Sequence, residues 1–483
     1  MEISYQKFAK DVSIIGVTNI IVALSGIILL PLLTKTIGTY DYGIWAQIQV
    51  TIGLTMGFVG LGLPYAMTRF LPAKVNKEQI QEEFYSVLCL VFLVTLIVSI
   101  ILIVFADLVA EALFGGAADI VRIAGLIILF QSLDSVFLGL FRTFRQMRRY
   151  AVFTIASLYV QVGLIAYLVL NGYGLLGAVL AVLAIRAIIF FILFFSVKSQ
   201  IGIKRPRFSR IREYLSFGLP TIPGNISSWV VASSDRYVIG YFLGSASVGI
   251  YSAGYGLGHI PFMVSRVLGF VLPPTLSKLY DEGKMNEVRT HLGYSLKYLL
   301  AIAIPFVFGA AILAEPILRL FSTAEIANKG YFIMPLIALS ALFYTIYEPM
   351  AHIILLVKKT RITGTIWIAC ALVNLGLNIL VVPHLGILGA AITTVIAYAL
   401  VMGLATYYSL KEFRFTIDWR FIAKSLIASA IMSLAIWRIS PQETSTTILA
   451  VIAGAAIYGV VLLFLKGFSK EELKFFKKLF QRS

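Results

Sequence analysis

Long apolar stretches alternate with short polar gaps along the whole chain. They run over residues 12–34, 42–67, 84–106, 119–141, 151–171, 174–197, 214–242, 248–275, 292–314, 329–356, 362–382, 385–409, 420–437 and 447–465. Each approaches or exceeds the ~20 residues that an α-helix needs to cross the apolar core of a bilayer. Membrane strands would show ~10-residue segments of alternating hydrophobicity, and the chain has none. The pattern predicts an all-α integral membrane protein with about 14 transmembrane helices. The gaps are too short to hold a soluble catalytic domain. The first stretch is too long for the core of a secretory signal and lacks a small-residue cleavage site, so it is expected to remain as a helix.

Charge gives the stretches a direction. Of 40 Lys and Arg residues, thirty fall before the first stretch, in every second gap or at its edge (Arg420), or in the C-terminal tail. The intervening gaps hold Lys35, Arg319 and Arg438. Basic loops stay on the cytoplasmic side of a membrane protein. The chain is therefore expected to be multi-pass in the plasma (inner) membrane with both termini cytoplasmic. The formal net charge of +17 then reflects topology and anionic headgroups, and nucleic acid is not an expected partner. Composition agrees: 59% hydrophobic and 13% charged, with mean hydropathy +0.92, against roughly 25% charged in soluble domains.

The chain also repeats itself. Ile37 to Trp45 (IGTYDYGIW) resembles Leu243 to Tyr251 (LGSASVGIY), and Gly174 to Ala178 (GLLGA) matches Gly386 to Ala390 (GILGA) at four of five positions. The offsets are similar, 206 and 212. Basic loops at Arg145 to Arg149 and Lys358 to Arg361 fall in the same register. The expected organisation is an N-terminal lobe of six helices (1–197), a basic cytoplasmic linker (198–213), a second six-helix lobe (214–410), and a helix pair with a basic tail (411–483). An even number of helices per lobe makes the two lobes parallel, the plan of many alternating-access transporters. Pro220, Pro223, Pro261, Pro273 and Pro274, with several glycines, crowd the seventh and eighth helices. Bends are expected there, because proline removes a helical hydrogen bond.

The remaining charges are the candidate chemistry. Lys35, Arg122, Lys297, Arg319, Lys329, Lys424 and Arg438 lie at loops or stretch ends, where long stems carry a charge to the interface. Arg186, Arg236 and Arg266 lie inside apolar stretches, and Arg69 ends the second. A charge at mid-membrane costs at least ~2.5–3.5 kcal/mol and normally faces a cavity or a partner. Arg186 also has a rival role, pairing with a carboxylate of its own lobe. His259 lies two helical turns before Arg266, on the same face. Arg69, Arg186, Arg236, Arg266 and His259 thus form a candidate cationic site. For Arg236 the rival role is a local ion pair with Asp235, although adjacent residues on a helix point about 100° apart and do not face each other well. Asp134, Asp235 and Glu348 are the scarce buried acids, with His352 one turn after Glu348, and they are candidates for H⁺ or Na⁺ coupling. Cys89 and Cys370 both fall in apolar stretches and offer neither a disulfide framework nor a metal site. No nucleophile, zinc or phosphate-loop motif is present, so an enzyme and a bound cofactor are not expected.

The six-plus-six-plus-two arrangement resembles the polysaccharide flippases, of O-antigen-unit type, in the multidrug/oligosaccharidyl-lipid/polysaccharide (MOP) exporter superfamily. Asp235 to Gly244 (DRYVIGYFLG), Val248 to Tyr251 and Pro273 to Leu279 (PPTLSKL) carry the local likeness. The resemblance implies the MATE-like fold, with the first, second, seventh and eighth helices around a central cleft. It implies a polyprenyl-(di)phosphate-linked oligosaccharide as substrate, loaded from the cytoplasmic leaflet and released outside, with polysaccharide polymerase and glycosyltransferases as partners. Arginine suits phosphate oxygens, whereas a site for cationic drugs would be acidic. The first helix lacks both the basic residues of lipid II flippases and the carboxylate of multidrug exporters. A cation-coupled exporter of small amphiphiles, a lipid II-type flippase and a non-transporting scaffold remain the alternative readings.

Overall fold

The computed structural model describes residues 2–73, 76–441, 443–472 and Lys474, and the side chains of all these except 2–13, 73, 267, 268, 270 and 271. Nineteen α-helices make up the described chain: α1 (Glu2–Thr36), α2 (Gly38–Val59), α3 (Leu63–Phe70), α4 (Lys77–Val104), α5 (Ala106–Leu113), α6 (Ala118–Thr143), α7 (Met147–Leu168), α8 (Gly174–Ile201), α9 (Ile211–Gly218), α10 (Ile222–Ser233), α11 (Asp235–Leu243), α12 (Ser245–Gly258), α13 (Ile260–Asp281), α14 (Met285–Phe321), α15 (Ala324–Gly330), α16 (Ile333–Leu356), α17 (Thr360–Glu412), α18 (Trp419–Ile439) and α19 (Thr444–Phe464). No strand occurs among the described residues. The protein is an all-α, multi-pass membrane protein.

Among the described residues, nine helical segments are long and apolar enough to cross a membrane, and α2 with α3, bent by 48°, makes a tenth. Two of the nine each contain two of the stretches expected from sequence, 147–201 and 360–412. The seventh and eighth stretches are not among these segments, and both are broken. A 3₁₀ turn at Leu219–Thr221, a turn residue at Ser234 and a break at His259 divide them into α9 to α13. Pro220, Pro223 and Pro261 stand at these starts, where the missing N–H costs nothing. An apolar run here does not equal one unbroken helix.

The chain folds as two compact units, Met1–Ser252 with Trp367–Ala390, and Ala253–Ile366 with Ala391–Ser483. In the first unit, the two repeat segments meet directly. A Cβ added at Gly43 would run into the backbone of Ser245 and Gly249, and one added at Gly249 would run into the backbone of Thr39 and Gly43. Thr39 and Gly43 map onto Ser245 and Gly249 by the same offset of 206, so the contact is symmetric. Only glycine lets two backbones approach this closely. The second repeat has a backbone signature too. Gly174 has φ 54, ψ −146 and its counterpart Gly386 has φ 61, ψ −147, a region open essentially only to glycine.

The linker in this unit is held against α4. Glu78, Gln81, Glu82, Tyr85 and Ser86 recur at helical spacing and share a face. Lys204 pairs with Glu78 at 3.0 Å and with Glu82 at 2.9 Å, and Arg207 lies 3.4 Å from Glu82. Tyr85 donates to the Gly202 carbonyl at 2.8 Å, Gln81 donates to the Ile201 carbonyl, and Ser86 accepts from the Phe208 N–H at 3.2 Å. On the flank, Glu83 accepts from the Tyr214 hydroxyl at 2.5 Å.

In the second unit, Lys297 differs from its expected place at an interface. It is 9% exposed, 2.9 Å from Glu472, and lies over the rings of Phe421 and Phe468. Tyr298 donates to the same carboxylate at 3.0 Å. Packing by two aromatic rings from later in the chain buries a stem that sequence position alone would send to water. Lys477, Lys478 and Arg482 of the expected basic tail lie outside the described residues.

Two outcomes follow from these contacts. Replacing Gly43 or Gly249 with Leu forces backbones apart and should cost about 1–3 kcal/mol or more. Thermal unfolding in detergent should show the loss, while Gly57→Ala, which meets nothing within 4 Å, leaves the melting temperature unchanged. The second concerns pH. Burial alone would raise the Glu472 carboxyl, but the Ser469 N–H, Lys297 and Tyr298 outweigh it and hold it below the usual glutamate value. Its contribution is therefore full above ~4.3, the unfolded glutamate value, and is lost as pH falls through the lower folded value. Amide exchange at Ser469 to Glu472 should quicken on acidification in the wild type and be fast at all pH values in Glu472→Ala.

Candidate functional site

Breaking the seventh stretch at Ser234 places Asp235 at the start of α11, with its carboxylate free to cap the new first turn. Its Oδ1 accepts from the Arg236 N–H at 2.9 Å and from the Arg236 guanidinium at 2.7 Å, and the other oxygen accepts from the Tyr251 hydroxyl. The guanidinium also donates to the Ala232 carbonyl at 2.7 Å and lies 5.2 Å from the Tyr251 ring centre. Asp235 is 1% and Arg236 7% exposed. Of the roles open to Arg236 from sequence, the local ion pair with Asp235 is the one formed. Both residues lie in the first turn of α11, and although their Cβ directions diverge, the arginine stem is long enough to bring its guanidinium back. A carboxylate at a helix start complements the helix dipole, and the flexible arginine stem swings back to meet it.

Around this pair lies a polar cluster that sequence reading did not single out. The Gln47 amide donates to the Arg236 carbonyl at 3.4 Å, and Thr51 and the Tyr237 hydroxyl are 2.7 Å apart. Asn374 and Asn378 of α17 are fully buried. The Asn378 amide donates to Asn374 Oδ1 at 3.3 Å, and the Ser234 hydroxyl donates to the same oxygen at 3.5 Å. Two asparagines four residues apart inside an apolar run were the available signal, since such spacing places them on one helix face.

The other candidates separate by unit. In the first unit, Asp134 of α6 is 2% exposed, and Arg186 of α8 acts on it electrostatically. Arg186 thus lies on a helix packed against the one that carries Asp134, with no direct ion pair between them among the described residues. Arg69 ends α3 exposed, with its guanidinium 4.8 Å from the Phe217 ring centre and 5.7 Å from that of Phe70. In the second unit, Arg266 is exposed on α13 and acts on both Glu348 and Tyr344 of α16. His352 lies 3.7 Å from Glu348, beyond hydrogen-bond range. Gly269 lets α13 pass close to the Glu348 carboxyl, which an added Cβ would strike. His259 occupies the break before α13 and is stacked between Tyr255 and Phe262, with ring centres at 5.4 and 4.1 Å. That stacking fits a histidine held by its ring faces.

Set beside known proteins, residues 8–280 match the family described as polysaccharide biosynthesis protein. The chain belongs to that family. Residues 220–380 also match the MatE family. The probable flippase AglR of Haloferax volcanii is 26% identical over 257 residues, which is 51% of this chain and 52% of that protein. The probable low-salt glycan biosynthesis flippase Agl15 of the same organism is 19% identical over 236 residues, 49% of this chain and 50% of that protein. The chain thus spans about half the length of these two relatives. An uncharacterized membrane protein of Methanocaldococcus jannaschii is 26% identical over 382 residues, 74% of this chain and 75% of its own length.

Among solved structures, the lipid II flippase MurJ in an inward closed conformation superposes with TM-score 0.79 at 19% identity, covering 93% of this chain and 98% of that one. An inward-facing multidrug MATE transporter of the MOP superfamily gives 0.67 at 14% identity, covering 82% and 97%. These likenesses carry the fold, which is that of the MOP superfamily.

The buried ion pair makes a testable point about the family member. Asp235→Ala leaves Arg236 buried without its carboxylate and should cost about 3–5 kcal/mol, whereas removing both side chains should cost less than the two single losses together. A double-mutant cycle by thermal unfolding measures the difference. Additive single losses would mean the pair contributes no coupling.

Proposed function

We propose that this protein is a flippase that moves a polyprenyl-(di)phosphate-linked oligosaccharide from the cytoplasmic to the outer leaflet of the plasma membrane by alternating access, for surface polysaccharide biosynthesis. The observation that carries the reading is that Arg69 and Arg266, within or at the end of apolar stretches, are exposed residues on α3 and α13. A positive group in such surroundings suits an anionic head, and arginine binds phosphate oxygens through paired, charge-assisted hydrogen bonds. Family membership over residues 8–280 and the likeness to proteins named as probable flippases support the same class of substrate. Arg236, whose charge is already taken up by Asp235, serves better as a fixed part of the wall than as a phosphate ligand.

In this reading the N-lobe (1–197) and the C-lobe (214–410) rock about the substrate, with both termini and the basic linker on the cytoplasmic side. The relevant partners are the bilayer, the lipid-linked oligosaccharide, and the polymerase and glycosyltransferases that use it. A gradient of H⁺ or Na⁺ drives the cycle through the buried acids. An exporter of cationic amphiphiles fits less well, because the exposed groups are cations themselves.

Reconstitution with a fluorescent lipid-linked oligosaccharide tests this. The wild type should make the inner-leaflet probe accessible to an outside quencher. Arg69→Ala and Arg266→Ala should each slow the movement tenfold or more, the equivalent of one lost charge-assisted contact at about 1.4 kcal/mol. Undiminished rates in both variants would remove these arginines from the site. A wild type that leaves the probe in place would overturn the flippase reading.

A further inference from the structure

Asp134 stands in the interior of the first unit, near the middle of α6. It is 2% exposed, and neither carboxyl oxygen has a hydrogen-bond partner among the described residues. Carboxylates so placed normally collect two or three donors, and an ionised one without them is among the most costly groups to bury. A proton on the group removes that charge. The nearest compensating charge is Arg186 on α8, which acts on Asp134 electrostatically and whose own Nε is buried with no hydrogen-bond partner. The two groups are opposed in charge and lie on packed helices, and both Asp134 oxygens and Arg186 Nε lack a hydrogen-bond partner among the described residues.

Charges on the other elements packed against α6 are engaged elsewhere or distant. Asp107 of α5 pairs with Arg122, which also holds Asp119 at the start of α6. Glu78, Glu82 and Glu83 of α4 hold Lys204, Arg207, Arg210 and Tyr214. Arg69 of α3 lies over Phe217. Asp41 sits in the first turn of α2, and Arg142 at the far end of α6 lies over Tyr150 of α7. Among the described residues, Arg186 is the charged group that acts on Asp134.

We infer that Asp134 is a proton-binding site of the transport cycle, with Arg186 as the counter-charge that takes over when the proton leaves. In one state the carboxyl is neutral and needs no donor. In the other, the proton passes to water that reaches the pair, and the carboxylate is held by the guanidinium through a direct ion pair. No bond other than O–H is made or broken, and the charge left on the carboxylate is balanced by Arg186. Because α6 and α8 each supply one partner, a small relative shift of the two helices selects between the states. The inference rests on the flippase reading for its consequence in transport, while its first test is independent of that reading.

The test has two arms. Infrared spectra of the purified protein in lipid nanodiscs should show a protonated-carboxyl band that is absent in Asp134→Asn and that persists to higher pH in Arg186→Gln. Asp134→Asn is neutral and nearly isosteric, and its elution profile and melting temperature establish that it folds. In the second arm, proteoliposomes carry the fluorescent lipid-linked oligosaccharide. Wild-type movement should change at least severalfold when a proton gradient is imposed, whereas Asp134→Asn should move the probe at a rate indifferent to the gradient. Arg186→Lys, which keeps the charge, should retain the response. A wild type lacking the Asp134 band, or an Asp134→Asn variant that still answers the gradient, would overturn the inference. A wild type that shows the band but moves no probe would overturn the flippase reading and leave the proton site standing.

Discussion

An apolar phase gives a charged group nowhere to go except another part of the same chain. The cost of leaving it alone there exceeds what packing can recover. The interior of this protein is arranged around that constraint. Asp235 and Arg236 satisfy each other and draw in Tyr251 and the Ala232 carbonyl. Asp134 has Arg186 on the next packed helix. Glu348 has Arg266 and Tyr344. Lys297 has Glu472 and two aromatic rings. Few acids exist in the apolar stretches, and each has a cation or a phenol beside it.

Much of the fold was legible because the same constraint acts on the backbone. A chain that must satisfy every N–H and C=O internally forms helices, and long apolar runs locate them. The repeats were readable for a different reason. Gly43 and Gly249 recur because two backbones touch there, and Gly174 and Gly386 because both need a backbone that other residues resist. What was not legible was where an apolar run stops being one helix. Hydropathy is blind to a turn of one residue at Ser234 or His259. Proline placement marked the neighbourhood, yet the exact break depends on how α11 and α13 pack.

The candidate site was legible by residue type and less so by role. An arginine within an apolar stretch announces that something must neutralise it, without saying whether that is a ligand or a neighbour. For Arg236 the neighbour wins, because its long stem folds back onto the adjacent carboxylate despite the divergent helix directions. Arg69 and Arg266 are exposed residues, so the same residue type keeps its reach toward an outside anion, with Arg266 also acting on Glu348. Asn374 and Asn378 went unnoticed because neutral amides leave no mark in a charge count. Lys297 was misplaced because its partner, Glu472, lies 175 residues away.

The pairs differ in a way that bears on motion. Asp235 and Arg236 are consecutive, so no rigid movement of helices can separate them, and their charge balance survives any conformational change. Asp134 with Arg186, and Glu348 with Arg266, are held on different helices, α6 with α8 and α16 with α13. Their separation is set by how those helices pack, and electrostatic energy inside a low-dielectric interior falls steeply as the distance grows. A transporter that changes shape must therefore pay nothing for the first pair and a state-dependent amount for the other two. Coupling between an ion and a conformational change requires a group whose energy differs between the states. Only the inter-helix pairs have that property by construction. The intrahelical pair is suited to the opposite task, which is to keep the charge of a buried arginine compensated while everything around it moves.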